Sequence, residues 1–417
     1  MFCPELFSRY GPPESKLLSS NKKILVVTTT FPQRDGDDQP RFVLDLCKAL
    51  PDEFEQLVLA PSGPGCDSSG EVEGVRVRRF RYFFRRFETI AYGSGILANL
   101  RAQPIRWLLL PFFLPGMVLS LRRALRQFQP DIVHAHWWMP AGVAARIAIA
   151  TTPGRYKLLV TCHGSDYFIL GERFSRLRRW VFARSDAVTM VSPAMREHAI
   201  SRGLPGNKIN VAPMGVDFQN RFVHEDNADR RGVIYVGRLI EGKGVDNLLK
   251  AWAQISQDTR SQGLTIIGDG SHRVSLQNLS RTLGVADSVT FTGAIPQDEL
   301  PAYFQQAALL VFPSVGQEGL GLVAIEAMGC GCPVLISDVG SLEDVIIDGE
   351  TGFVYPMGNS TALSQRLDEL VPATELRAAT AARGSDAVRS RFDWRAVGKN
   401  HQDLYNDLLT TDELNRP

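Results

Sequence analysis

Two glutamates eight positions apart are the residues of this chain whose types and spacing best suit chemistry. Glu318 and Glu326 stand at the ends of the segment Glu-Gly-Leu-Gly-Leu-Val-Ala-Ile-Glu, just after an apolar run that ends at Ser314. A helix that begins after glycines offers free backbone N–H groups and the positive end of its dipole, which suits a phosphate. If the segment is helical, the two carboxylates lie about 12 Å apart and flank a bound diphosphate. The alternative is that Glu318 caps the helix and Glu326 faces solvent.

A glycine-rich turn about eighty residues upstream carries two cations. The β-branched run 233–236 predicts a strand, and the segment 245–254 predicts a helix. Arg238 and Lys243 lie in the turn between them, where a guanidinium and an ammonium together suit a diphosphate. A solvated surface loop is the alternative. Because α/β sheets bind ligands at the carboxyl ends of their strands, cations after one strand and carboxylates after another favour a shared site.

Strand and helix patterns alternate along the whole chain. In the first half, strands are predicted at 23–28, 56–60, 75–79, 131–135, 157–161 and 187–191, with helices between them. This alternation predicts parallel, doubly wound α/β sheets. With 417 residues, of which 44% are hydrophobic, the chain is long enough for two cores. No Gly-x-Gly-x-x-Gly follows the first strand, which argues against a dehydrogenase.

Five blocks in the second half occur in the order and spacing of a known family. They occupy 237–244, 268–270, 291–293, 312–314 and 318–334. These blocks resemble the donor-binding half of the family 4 retaining glycosyltransferases. The resemblance covers about 210–360, and the first half is similar to the acceptor domain of the same family. It implies the GT-B fold, in which two Rossmann-like, doubly wound parallel-sheet domains face a central cleft.

The resemblance also implies roles for the residues above. Arg238 and Lys243 are expected to neutralise the donor diphosphate. Glu318 is expected to bind hydroxyls of the transferred sugar as a catalytic residue, and Glu326 to bind the nucleotide ribose. Backbone N–H groups are expected from Gly319, Leu320, Gly321 and Leu322.

His163 closes the predicted strand 157–161 and opens the sequence His-Gly-Ser-Asp. The resemblance implies that this histidine points into the cleft as a catalytic residue, where it can hydrogen-bond a sugar hydroxyl. Asp166 is expected to orient donors near the substrate. A histidine that only caps the next turn is the alternative. The family places a glycine pair in its first loop, here 29–36, and Gly36 alone is available for a phosphate role.

Metal chemistry is not indicated by the histidines and cysteines. His134 and His136 share one strand face, but no third ligand stands at a suitable spacing, so we interpret them as core or cleft-wall residues. The six cysteines form no compact framework, which indicates a reducing, cytoplasmic setting. Arg238, Lys243 and a helix N-terminus already offset the leaving charge, so we expect neither a metal nor a cofactor.

The domain boundaries follow from composition and from the resemblance. We predict a disordered leader at 1–20, an acceptor-binding domain at 21–212 and a nucleotide-sugar-binding domain at 213–390. The segment 391–417 is expected to form a helix that crosses back to the first domain.

Charge is balanced overall and uneven locally. The net charge of +1 argues against nucleic acid as a partner. Between Arg76 and Arg126 there are eleven arginines, no lysine and a single acidic residue, Glu88. The apolar run 107–121 is too short to span a bilayer, and Pro111 and Pro115 are expected to interrupt it. This stretch predicts docking on an anionic membrane surface, at the inner face of the cell membrane; a buried helix pair with a solvated arginine face is the alternative.

Two classes of function remain at this point. The first is a retaining, metal-independent glycosyltransferase that moves a hexose from a UDP- or GDP-linked sugar to a glycan or lipid-linked glycan. The second is a catalytically silent nucleotide-sugar-binding or scaffolding subunit of a glycan assembly complex. The presence of both glutamates, both cations and His163 favours the enzyme.

Overall fold

Two α/β units face one another in the computed structural model, which describes residues 22–37, 39–93, 95–169, 172–225 and 229–413. The predicted leader at 1–20 lies outside these residues. Within them, the first unit contains a sheet of eight strands and the second a sheet of six. The expected class, two doubly wound sheets facing a cleft, is confirmed.

The first sheet has the strand order β3-β4-β2-β1-β5-β6-β7-β8. All neighbouring strands are parallel except β3, which pairs antiparallel with β4 at the edge. The prediction of a wholly parallel sheet is therefore wrong there, because the short turn between β3 and β4 permits a hairpin. The strands are Lys22–Val27, Phe54–Pro61, Ser69–Val72, Val75–Phe80, Ile132–His136, Lys157–Cys162, Ala187–Met190 and Ile209–Val211.

The second sheet is parallel throughout and has the order β11-β10-β9-β12-β13-β14. The central strands β9 and β12 are neighbours, so the loops that follow them open at the same edge. These loops carry the cations and Glu318. The strands β9 to β14 are Arg231–Val236, Leu264–Ile267, Val289–Gly293, Ala307–Phe312, Val334–Ser337 and Phe353–Tyr355.

Helices connect the strands and cover both sheets. In the first unit, α1 to α7 are Phe42–Ala49, Ile96–Ala102, Leu110–Phe128, Val143–Ala150, Ser165–Ile169, Ser175–Ala183 and Pro193–Ser201. From the second unit onward, α8 to α15 are Val245–Trp252, Gln257–Arg260, Arg273–Thr282, Leu300–Gln306, Leu322–Gly329, Ser360–Leu370, Thr374–Phe392 and Trp394–Glu413.

Helix α3 runs through the two prolines that were expected to interrupt it. Pro111 lies in the first turn, where no backbone N–H is needed, and Pro115 is exposed, so water can reach the carbonyl it leaves unpaired. Helix α3 and the turn before it form the helical stretch Pro104–Phe128. Among the described residues, this is the one stretch that is long and apolar enough to cross a membrane. Its inner face packs in the core through Phe113, Met117 and Leu121.

The last helix, α15, lies on the first unit. Its Tyr405 is fully buried and packs edge-on against Phe54 at a ring-centroid distance of 5.5 Å. Near it, Gln402 donates a hydrogen bond of 2.8 Å to Glu53, and Lys22 donates one of 2.6 Å to Asn406. Helix α15 therefore links the two units.

Candidate active site

The carboxyl ends of four strands meet at one cavity of about 460 Å³ between the two units. Strands β5 and β6 contribute the residues that follow them, Trp137 and His163, and α1 contributes Phe42. The second unit contributes the loops after β9 and β12. A cavity of this volume is in the usual range for small-molecule sites. The cavity lining includes eight of the predicted residues: His163, Arg238, Lys243, Glu318, Gly319, Leu320, Gly321 and Leu322.

One carbonyl joins the two loops of the second unit. The carbonyl oxygen of Gly242 accepts hydrogen bonds from the backbone N–H groups of Val315 and Gly316, at 2.9 and 3.0 Å, and from the Ser314 hydroxyl at 3.1 Å. Gly244 completes the contact: its φ is +68°, and an added Cβ would overlap the carbonyl of Pro313. The cation loop and the glutamate loop are therefore held as one body.

Lys243 and Glu318 form an ion pair at this junction. The distance between Lys243 Nζ and Glu318 Oε1 is 2.6 Å, and the side chains are 21% and 13% exposed. The Ser314 hydroxyl also lies within hydrogen-bond distance of Glu318 Oε1, so its single hydrogen is shared between this carboxylate and the carbonyl of Gly242. Arg238 lines the same cavity and is exposed. The side chains that could hold a diphosphate and a sugar are thus adjacent before any ligand binds.

Helix α12 begins at Leu322, four residues after Glu318. The predicted separation of the two glutamates by eight helical residues is therefore wrong, because residues 313–321 form a loop in which Gly321 adopts a φ of +77°. The helix N-terminus still faces the cavity through Leu322 and Val323. Its first backbone N–H groups have no acceptor within the helix and suit an anionic ligand.

Glu326 lies on α12 and does not line the cavity. It is buried, and its Oε1 accepts a hydrogen bond of 3.0 Å from Gln297 Nε2. Burial raises the pKa of its carboxyl to about 7. The expected contact with a ribose requires this carboxylate to exchange its bond to Gln297 for hydroxyls of the ligand.

His163 is held in the cavity wall by the buried carboxylate of Asp166. One carboxylate oxygen accepts from the backbone N–H of His163 and the other from that of Trp138, each at 3.0 Å. Burial raises the pKa of Asp166 to about 6, although these hydrogen bonds oppose the change. Asp166 was expected to orient donors near the substrate; it lies outside the cavity lining and orients the backbone N–H groups of His163 and Trp138.

Aromatic side chains surround the His163 ring. Its centroid lies 5.0 Å from that of Phe42 and 4.8 Å from that of Trp137. Trp137 has a φ of +69°, a conformation that bulky residues rarely adopt and that is found at functional sites. The sequence interpretation missed both aromatic residues; the position of Trp137 directly after the predicted strand 131–135 was the available signal.

The two units approach each other closely at a pair of glycines. An added Cβ on Gly319 would lie 2.7 Å from the carbonyl oxygen of His163, and one on Gly164 would lie 2.7 Å from the Cα of Gly319. Gly36 has a φ of +69° and open space around it, and it does not line the cavity. The glycine that matters for close approach in the first unit is therefore Gly164.

His134 and His136 are fully buried behind the cavity. His134 is bonded through both ring nitrogens, to Tyr405 at 2.8 Å and to Thr161 at 2.7 Å. In the described part of the chain, no group of three or more His, Cys, Asp or Glu side chains could hold a metal ion.

Two family models cover most of the chain. The model described as "Glycosyltransferase Family 4" matches residues 39–220, and that described as "Glycosyl transferases group 1" matches residues 216–386. The chain belongs to glycosyltransferase family 4.

The relatives of this family 4 glycosyltransferase include a mannosyltransferase and a glycogen synthase. It is 28% identical to a GDP-mannose-dependent α-(1-6)-phosphatidylinositol monomannoside mannosyltransferase of Mycolicibacterium smegmatis, over 91% of this chain and 97% of that protein. It is 30% identical to a glycogen synthase of Mycobacterium tuberculosis, over 92% of this chain and 94% of that protein. Sucrose-phosphate synthase from Thermosynechococcus elongatus is 22% identical and superposes with a TM-score of 0.75 over 94% of this chain and 100% of that one. This last match shows the shared GT-B fold.

Proposed function

We propose that this glycosyltransferase moves a hexose from a UDP- or GDP-linked sugar to a glycan or lipid-linked glycan, with retention at the anomeric carbon and without a metal. The observation that carries the proposal is the joined pair of loops that sets Lys243, Arg238 and Glu318 opposite His163 in one cavity. GDP-linked mannose is a donor worth testing first, because the mycobacterial relative depends on GDP-mannose.

The leaving diphosphate is stabilised by charges that the chain itself supplies. Lys243 and Arg238 provide two cations, and the N-terminus of α12 adds oriented backbone N–H groups. These groups do the work that a divalent cation does in other transferases. We expect activity to be unchanged when divalent cations are removed by a chelator.

The placement of the carboxylates argues against a covalent route to the proposed retention. A covalent mechanism needs a second carboxylate about 5 Å from the first at the anomeric carbon. Glu326 is buried against Gln297 and lies outside the cavity lining, and Asp166 is occupied by two backbone N–H groups. With retention, as proposed, and no covalent intermediate, the acceptor hydroxyl attacks from the face that the diphosphate leaves, and a phosphate oxygen takes its proton.

A donor panel tests the proposal. Thermal unfolding is measured with UDP, GDP and their hexose derivatives, because a ligand that binds only the folded state raises its stability. The donor that binds is then incubated with the protein, and proton NMR follows the anomer of the sugar released by slow hydrolysis. The initial release of the donor's own anomer supports retention. Binding without any hydrolysis or transfer indicates the silent binding subunit instead.

The second part of the proposal concerns where the acceptor is met. Large apolar side chains, between 44% and 74% exposed, form an outer face on α3, the turn before it and the loop around 84–87. The loop around 84–87 contacts α3 through Phe83 and Phe112, whose ring centroids are 5.1 Å apart. The exposed residues are Phe84, Phe87, Ile105, Trp107, Leu108, Phe112 and Leu119.

Arginines surround this apolar face. Arg85, Arg86, Arg101 and Arg123 are exposed near it, whereas Arg106 and Arg122 are half-buried. Aromatic and aliphatic side chains with arginines beside them suit the headgroup region of an anionic bilayer. Since the inner face of α3 is fixed in the core of the first unit, the helix lies on the membrane rather than across it. We propose that this face docks the enzyme where a lipid-linked acceptor is found.

Vesicle co-sedimentation tests the docking. Wild-type protein is compared on anionic and zwitterionic vesicles with a variant in which Trp107 and Phe112 are serine. A matched control is Val274→Ser, which removes a side chain that is 68% exposed on the second unit. Loss of binding in the double variant and not in the control supports the proposal; equal binding of all three proteins rejects it.

A further inference from the structure

Four neutral histidines lie together behind the cavity. His134 and His136 come from β5, His163 follows β6, and His401 comes from α15. The ring centroids of His134 and His136 are 4.2 Å apart, those of His136 and His163 5.2 Å, and those of His134 and His401 6.0 Å. Burial lowers the pKa of each ring, that of His163 to about 3. Each ring therefore carries one proton, and its hydrogen bonds decide which nitrogen holds it.

His136 and His163 share one hydrogen bond. His136 Nδ1 lies 3.0 Å from His163 Nε2, so one of these nitrogens donates and the other accepts. The second nitrogen of His136, Nε2, is buried and has no partner among the described residues. The second nitrogen of His163, Nδ1, has no hydrogen bond to any described residue, and the partly exposed ring lines the cavity.

The unpartnered nitrogen of His136 selects between the two arrangements. If His163 donates, the proton of His136 must sit on Nε2, which leaves a buried N–H group without an acceptor. If His136 donates, only a lone pair is left without a partner. Orphaned buried N–H groups are rarer than under-satisfied acceptors, so the second arrangement is favoured.

We infer that His136 is a positioning residue that donates from Nδ1 to His163 and holds the proton of His163 on Nδ1, so that His163 presents an N–H donor to an oxygen of the bound sugar. The inference rests on the proposed function for the identity of the ligand. It makes His163 a hydrogen-bond donor and leaves proton removal from the acceptor to the phosphate oxygen.

The tautomer is measured without any substrate. Protein labelled with ¹⁵N in its histidine rings is studied by long-range ¹H–¹⁵N NMR, and the signals of His163 and His136 are assigned with the variants below. The expected result is a protonated Nδ1 and an unprotonated Nε2 on both rings. A protonated Nε2 on His163 overturns the inference, whatever the protein's activity.

Two matched pairs of variants test the consequence. Asparagine places its amide near the position of Nδ1, so H136N keeps a donor toward His163, whereas H136L removes it. We expect kcat for GDP-mannose hydrolysis, or for UDP-glucose if that is the working donor, to fall roughly 10- to 100-fold in H136L, with much less loss in H136N. H163N likewise keeps an amide donor near the position of Nδ1, whereas H163Q does not, so H163N should retain more activity than H163Q.

Nucleotide binding separates this inference from the proposed function. UDP and GDP affinity should be unchanged in H136L, because the diphosphate contacts lie on the other unit, and thermal unfolding confirms that the variant is folded. Equal kcat values in folded H136N and H136L overturn the positioning role. A wild-type protein that binds no nucleotide sugar rejects the proposed function, while the NMR result still decides the tautomer.

Discussion

From the ion pair between Lys243 and Glu318 we predict that removal of the negative charge of Glu318 strengthens nucleotide binding. Without ligand, Lys243 Nζ is 2.6 Å from Glu318 Oε1, so a diphosphate must compete with this carboxylate for the ammonium group. Glu318 also carries the same sign of charge as the diphosphate. We therefore expect Glu318→Gln to bind UDP or GDP more tightly than wild type while it transfers sugar poorly.

The size of the effect follows from the exposure of the pair. With side chains 21% and 13% exposed, the pair is neither freely solvated nor fully buried. Exposed pairs contribute up to about 1 kcal/mol, and we take this value as the competition that Glu318→Gln removes. It corresponds to about fivefold tighter binding. Loss of the ammonium in Lys243→Met should weaken binding by about 1.5–3 kcal/mol, the usual size of a charge-assisted hydrogen bond.

A double-mutant cycle measured by titration calorimetry checks this explanation. The two single variants, the double variant and wild type are titrated with the nucleoside diphosphate that binds best. If Glu318 acts by competing for Lys243, the gain from Glu318→Gln should shrink by about 1 kcal/mol in the Lys243→Met background. Glu375→Gln, which neutralises an exposed carboxylate on α14, is the control for a general change of charge.

Weaker nucleotide binding by Glu318→Gln would refute this reasoning. It would mean that Glu318 supports the diphosphate site by orienting Lys243 and does not compete for it. A gain of the same size with and without Lys243 would instead assign the whole effect to repulsion between like charges.

Three further outcomes are expected. Arg238→Leu should weaken nucleoside diphosphate binding by about 1.5–3 kcal/mol in calorimetry, and unchanged affinity would remove Arg238 from the phosphate site. Burial raises the pKa of Glu326 from 4.5 to about 7, so the contribution of this carboxyl to stability is complete below pH 4.5 and is lost as the pH rises through 7. In urea unfolding, the free energy of unfolding of wild type should fall by up to about 3 kcal/mol relative to that of Glu326→Gln between pH 4.5 and 8. Parallel pH profiles of the two proteins would contradict this. Gly319→Ala should lower kcat strongly because its Cβ would meet the carbonyl of His163 at 2.7 Å, whereas Gly70→Ala is a control that should leave kcat unchanged, because nothing lies within 4 Å of its Cβ and its φ, like that of Gly319, is not positive.

The sequence by itself determined the fold class and most of the residues that the second unit contributes to the cavity. Apolar runs that alternate with helical patterns predict parallel sheets, because a strand followed by a helix must return in the same direction. The loops after β9 and β12 are continuous in sequence, so their glycines, cations and glutamates could be identified from local order alone. This is also why the family resemblance was clearest between residues 210 and 360.

Predictions from local sequence patterns were wrong for two features, the start of α12 and the continuation of α3 through its prolines. Helix α12, which carries Glu326, begins later than predicted because Gly321 adopts a left-handed conformation. The glycines of the segment permit this conformation but do not require it. Helix α3 continues through Pro115 because that residue faces solvent. A proline costs less where water can satisfy the carbonyl it leaves free, and exposure is not visible in the sequence.

Only the tertiary structure decided which distant groups touch. Lys243 and Glu318 are 75 positions apart, His134 and Tyr405 are 271 apart, and each pair meets at a hydrogen bond. Sequence periodicity reports the face on which a side chain lies, but it carries no information about what packs against that face. The partner of His163, the burial of Glu326 and the exposure of the apolar face of α3 are properties of the packed units, because burial and pairing arise only when separate elements come together.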